Sequence, residues 1–181
     1  MSKKIRMKAR DVAFQFRMGA GFPGDVNRTH PATIEPALID ASAPPTLYGQ
    51  PVLVDPTTQG VRPFAAGDTA VTAAWGMTVR PYPIQQNAGT NFGAASFGTG
   101  TPPASGPIDV LRAGYIMAQL PSGESSLKGG AVYVWCAAST GVHVQGGIES
   151  AASSGNTAAL ADCQFNGPPD ANGYVEISFN V

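Results

Sequence analysis

The sequence predicts an all-β fold: a jelly-roll-like sandwich or barrel with an extended N-terminal arm and long loops. Three features say so. Glycine (22) and proline (16) are abundant in 181 residues, while charged residues, at 13%, fall to about half the usual share. That leaves turns in plenty and little material for solvated helix faces. Residues 22–56 carry Pro23, Pro31, Pro36, Pro44, Pro45, Pro51 and Pro56. Each fixes φ, removes a backbone donor and disfavours helix in the residue before it. Finally, residues 69–80 and 174–181 alternate apolar and polar side chains with a period of two, the signature of half-buried strands.

The chain is long enough for one domain with its own core. It divides by composition into a basic tip and proline-rich extended arm (1–56) and a β-rich body (57–181). Of eleven basic and twelve acidic residues, the first 17 positions hold six and one. The tip is therefore strongly positive and the remainder, with five and eleven, negative. A basic tip on an acidic body suits an acidic protein surface better than nucleic acid, whose binders carry a larger positive field. No apolar run approaches a membrane span. The basic start is followed by no apolar signal core, so the chain is expected to fold in a cytoplasm.

Taken in order, Val12, Phe14 and Phe16 share one side of a short segment able to join a sheet edge. Residues 19–24, GAGFPG, match G-x-G-x-x-G, but no amphipathic helix follows and a dinucleotide site is excluded on context. In 22–56 the residues Ile34, Leu38, Ile39, Leu47, Tyr48, Val52, Leu53 and Val54 need apolar contacts. Spanning up to roughly 100 Å if extended, such an arm is expected to lie on a surface, its own or a neighbour's. It marks a protein that holds other proteins.

Short strands are expected at 51–54 and 60–64 around the turn at 55–60, then along 69–80, where Val71, Trp75, Met77 and Val79 share a face. Residues 86–107 form a Gly/Ser/Thr/Pro loop whose Phe92 and Phe97 are candidate partner contacts. Further strands are expected at 108–120, bulged at Gly114, at 131–136, as a hairpin near 140–144, at 158–165, and at 174–181. In the last, Val175, Ile177, Phe179 and Val181 point to the core. Cys136 and Cys163 read as buried free thiols, a late disulfide being the alternative.

Catalytic chemistry is sparse. His30 and His143 are the only histidines, each read as structural, and no metal or cofactor is expected. Ser125-Ser126-Leu127-Lys128 matches the serine–lysine motif, but in a turn rather than at a helix start. The acidic residues stand singly, so a carboxylate pair would have to be assembled by folding. The chain is read as a non-enzyme.

Several segments together resemble the structural cement (decoration) proteins of tailed bacteriophages. They are FPGDVNR (22–28), PATIEP (31–36), YGQPV (48–52), VRPYP (79–83), DVLRAGY (109–115), GGIE (146–149) and GYVEISFNV (173–181). The resemblance runs in order from residue 22 to the end and is weaker before it. It implies a β-rich, jelly-roll-like body that forms homodimers or homotrimers on the capsid exterior of a virion. There it would bridge copies of the major capsid protein. Capsid-contact candidates are then Lys3, Lys4, Arg6, Lys8, Arg10, Phe14, Phe16, Phe22, Arg28, Ile34, Leu38 and Tyr48. The alternative is a carbohydrate-binding β-sandwich module using Trp75, Trp135, Tyr82 or Tyr133 as a platform, although alternation turns both tryptophans inward.

Overall fold

The computed structural model describes residues 21–28, 31–81 and 101–181. Among them are nine strands and a single 3-10 turn, Ala66–Asp68, so the all-β expectation holds. The strands are β1 Thr33–Ile39, β2 Pro51–Val54, β3 Val61–Pro63, β4 Gly76–Thr78, β5 Gly106–Gln119, β6 Ala131–Trp135, β7 Ile148–Glu149, β8 Thr157–Phe165 and β9 Tyr174–Phe179.

The long strand β5 is the axis. Its first half pairs antiparallel with β1, from Ile39↔Gly106 to Thr33↔Ala113, and with β4 at Met77↔Leu111 and Thr78↔Val110. β4 pairs with β2, β2 with β3, and β3 returns to β1 through Ile39↔Val61. This closes a small barrel-like ring. The second half of β5 pairs with β9 from Gly114↔Phe179 to Gln119↔Tyr174, and the sheet continues through β8 and β6 to β7. The change of partners happens at Gly114, whose φ is +143°. A Cβ there would lie 2.8 Å from the Pro31 carbonyl oxygen, so only glycine lets the incoming chain pass.

Residues 21–28 lie along the free edge of that second half. Gly24 donates its N–H to the Met117 carbonyl at 2.8 Å, Met117 donates to Asp25 at 2.9 Å, and Val26 bridges Ile116. Of the two surfaces expected for the arm, its own body or a neighbour's, the described residues 21–28 lie on its own. The proposed boundary at 56/57 falls inside the β2–β3 hairpin, where Val54 faces Val61, and residues 31–56 supply two strands of the ring. The prolines agree with this. Pro51 begins a strand, Pro63 ends one, and Pro36 lies where β1 is exposed, positions that do not need its missing donor.

The strand expected along 69–80 is confined to Gly76–Thr78. Alternation permits pairing but does not supply a partner edge. Residues 71–74 contact β8 through one bond, from Ala161 N–H to the Thr72 carbonyl. The hairpin expected near 140–144 reduces to a Thr140–His143 bridge, the real one being β6–β7. Val181 is exposed rather than core, because Asn180, at φ +51°, turns the chain out of β9.

The core has two parts. Phe64, Met77, Leu111, Phe165, Ile177 and Phe179 centre the larger one, and Ile39, Tyr48, Val52, Val61, Ile108 and Val110 fill the ring. Each such buried side chain contributes on the order of 1.5–3 kcal/mol of transfer free energy. Cys136 and Cys163 are buried and free. Burial pushes the Cys163 thiol up to about 12.

Candidate functional site

The most exposed apolar face of the described residues starts with β1. Side chains two apart share a face of a strand, which places Ile34, Pro36 and Leu38 in one outward row. Ile34 is 45% and Leu38 65% exposed. Between them, the half-buried Ala37 and the exposed Glu35 pair with the buried Ile108 and Val110 of β5. One edge of β1 is bonded to β5. Along the other, among the described residues only Ile39 has a strand partner. Arg112 braces this row: its guanidinium lies 3.6 Å from Glu35, lies 4.0 Å from the Trp75 ring centroid, and donates to the Trp75 carbonyl.

A second exposed feature is an aromatic and arginine ridge at the start of the described chain. Phe22 is 57% exposed, with Tyr174 at 6.2 Å between ring centroids and the Arg80 guanidinium at 4.9 Å from its ring. Its N–H is fixed by Asp25 at 2.7 Å. Arg28 covers the Tyr115 ring at 3.9 Å and pairs with Glu176 at 2.6 Å. Rigid aromatics flanked by arginine are what protein interfaces favour.

The contact candidates thus separate. Phe22, Arg28, Ile34 and Leu38 are on the surface in these two features. Tyr48 is corrected: it is 6% exposed within the ring core, and burial pushes its phenol up, so it cannot meet another molecule. Lys3, Lys4, Arg6, Lys8, Arg10, Phe14, Phe16, Phe92 and Phe97 lie outside the described residues, as do His30 and Tyr82. Trp135 is buried, stacked on His143 at 4.2 Å and 11°, with its indole N–H donated to the Ala138 carbonyl at 3.1 Å. Trp75 is half-covered by Arg112, and Tyr133 is half-buried on β6. None of these three forms an open sugar platform. The G-x-G-x-x-G run ends in a turn, and Ser126 of the S-x-x-K match is buried, donating its hydroxyl to the Gly167 carbonyl at 2.8 Å.

One cluster escaped the sequence reading. Glu124, His143 and Glu149 come from three separate segments, and their donor atoms lie within 4.8 Å of one another. His143 Nδ1 faces both Glu149 oxygens at 2.9 and 3.0 Å. Glu124 Oε2 accepts the Ser150 N–H and hydroxyl, each at 2.7 Å. Glu149 is 2% exposed. Burial, then the hydrogen bond to Glu124, pushes its carboxyl up to about 7, with His143 partly opposing. Burial raises Glu124 as well, but Ser150 outweighs it, so this carboxyl titrates below its ordinary value. Two like groups with their affinities pushed apart share one proton. His143 engages both Glu149 oxygens, and Ser150 engages one oxygen of Glu124. The singly spaced glutamates carried no signal of it; the His143 position between two valines was the only hint. Leu127, 78% exposed, and Val142, 52% exposed, were likewise not anticipated as surface apolar groups.

The family model described as XM1 gp53 minor capsid protein matches residues 12–179. Among solved structures, a chain of the capsid of Myoviridae phage XM1 has the same fold at a TM-score of 0.63 and 16% identity. The alignment covers 91% of this chain and 93% of that one. No curated protein matches the chain in sequence.

Proposed function

The chain belongs to the XM1 gp53 minor capsid protein family, and from that premise we propose that it is a cement protein. It is a structural component of a phage capsid and is located in the virion. In the proposed reading it sits on the outer surface of the shell and bridges copies of the major capsid protein. The observation that supports this most is the edge of β1 along 33–38, which has no strand partner among the described residues, with Ile34, Pro36 and Leu38 exposed along it. Apolar rows of this kind on a soluble surface mark contacts, and an exposed strand edge takes an extended segment of a partner by backbone hydrogen bonding. The Phe22–Arg28 ridge offers a second contact.

Two contacts on one rigid body are what a clamp needs. Once the first is made, the second becomes intramolecular and occurs at high effective concentration. Repeated over a symmetric shell, modest contacts then resist the outward pull along its seams. The basic residues at 3–10 extend the contact toward acidic shell surface, and the β-rich body supplies self-association as a dimer or trimer. The chain acts by binding, with no catalytic step, cofactor or membrane.

Shells purified without this chain, mixed with the full-length protein and imaged at high resolution, provide the test. Expected is ordered density on the exterior touching two shell subunits per copy, with shells that rupture at higher temperature. Density confined to the interior, or to a single subunit with no gain in rupture temperature, overturns the reading.

A further inference from the structure

We propose that residues 12–16 of one copy add as a strand to the outer edge of β1 in a neighbouring copy, lacing copies of this chain together. The choice of a neighbouring copy rests on the shell role above; the pairing of the two segments does not. The acceptor is the exposed row of Ile34, Pro36 and Leu38. Along that edge, residues 33–38 have no strand partner among the described residues. The donor lies outside the described residues. Its sequence, VAFQF, puts Val12, Phe14 and Phe16 on one face when extended, so three apolar side chains at alternate positions meet three at the same spacing.

Paired antiparallel with Phe14 across from Pro36, Val12 meets Leu38 and Phe16 meets Ile34. Opposed side chains of such a pair have Cβ atoms about 5 Å apart, close enough for each ring to cover its partner. Charge agrees with this pairing. Arg10 and Arg17 bracket the donor, while the acceptor carries the exposed Glu35 and, across from Pro36 on β5, the exposed Asp109. Glu35 is already engaged by Arg112, which leaves Asp109 to the incoming cations. The family match begins at residue 12, so it takes in the whole donor and excludes the basic residues at 3–10.

Reach favours exchange between copies. A Cβ on Gly21 would lie 3.2 Å from Asn27 Oδ1, and Asn27 is bonded to Tyr115, so the chain enters the described structure level with Tyr115. The Ile34 end of the acceptor is level with Leu111, about 13 Å farther along β5 at about 3.3 Å per residue. Phe16 to Gly21 spans about 17 Å at full stretch. The chain meets its own edge only with that hinge drawn nearly straight, and short strained hinges favour exchange. Each copy then gives one strand and takes one, an exchange that closes as a dimer or trimer.

The test uses two full-length variants, Ala13→Cys and Ala37→Cys, at positions that oppose each other in this pairing. They are mixed in equal amounts, oxidised and run on non-reducing gels, both free in solution and after addition to shells. Cys136 and Cys163 are buried and stay out of the reaction. Expected is a dimer joining position 13 of one copy to position 37 of the other, identified by mass spectrometry of the linked peptides. Adding Phe14→Asp and Phe16→Asp to the Ala13→Cys chain should cut its yield about tenfold or more, with the melting temperature unchanged. A chain carrying both cysteines that closes the disulfide within one monomer overturns the exchange in favour of the chain's own edge. No 13–37 link in either setting overturns β1 as the acceptor. Wild-type protein that fills shells while the link never forms leaves the cement role standing and removes only the exchange. A link that forms in solution while wild-type protein fails to bind shells strikes the cement role instead.

Discussion

Gly24 donates its N–H to the Met117 carbonyl at 2.8 Å, and Met117 returns a bond to Asp25 at 2.9 Å, so the incoming chain is fastened to the middle of β5. This contact has steric consequences. Gly24 has φ +88°, and a Cβ on it would come within 2.5 Å of Tyr48 Cβ and 2.9 Å of the Arg80 nitrogen. Both neighbours are fixed by the ring. Gly24→Ala is therefore expected to lower stability by about 2–3 kcal/mol, combining backbone strain with overpacking. Urea unfolding of the two proteins measures it; a change under about 0.5 kcal/mol would show that the segment at 21–28 is not structurally coupled to β5.

The carboxyl pair sets a pH dependence of defined sign. Glu149 has its folded value raised from 4.5 to about 7. Its contribution to stability is therefore complete below about pH 4.5 and is lost as pH rises through 7. Glu124 is shifted the other way, so its contribution is present at higher pH and lost as pH falls through its folded value. Stability should peak between these, in mildly acidic solution. Unfolding free energy is expected to fall by at most about 2 kcal/mol from pH 5.5 to pH 8. In Glu149→Gln most of that fall should vanish. Equal slopes in the two proteins would contradict the assignment.

The row on β1 can be altered without touching the core. Ile34 and Leu38 are largely in water, so Ile34→Asp with Leu38→Asp should change folding stability by less than about 1 kcal/mol. Binding to shells should drop at least tenfold, equivalent to about 1.4 kcal/mol. Cosedimentation with purified shells, alongside a melting curve, separates the two effects. Full occupancy by the double variant would remove β1 from the contact.

The thiols offer a simple check of the core. Cys136 and Cys163 are buried and unpaired, and burial holds both thiols above their ordinary value. A thiolate-seeking reagent should therefore find neither cysteine in the native protein and both in guanidinium chloride. Fast labelling of either in native conditions would place it outside the core.

Much of the fold was legible because period and turn chemistry act over neighbouring residues. Val175, Ile177 and Phe179 point inward in β9 as their alternation requires. The pair of short strands around 55–60 also follows from local rules, whereas the irregularity expected at Gly114 lies between Leu111 and Ala113. The contact surface was legible in part. Ile34 and Leu38 stood out as apolar residues in a proline-punctuated stretch, although the same logic wrongly placed Tyr48 beside them.

By itself, then, the sequence determined that this protein is all β, that helices are scarce, and which side chains of its clearest strand face inward. Tertiary structure decided the rest. Pairing energy depends on which edges are free after distant segments have met. That is why 33–39 became a strand of the ring, while 69–75 kept its alternation and found no ladder. It is also why Glu124, His143 and Glu149 could converge from separate segments: the low dielectric that sets their shared proton exists only once the turn, the loop and β7 have closed over it.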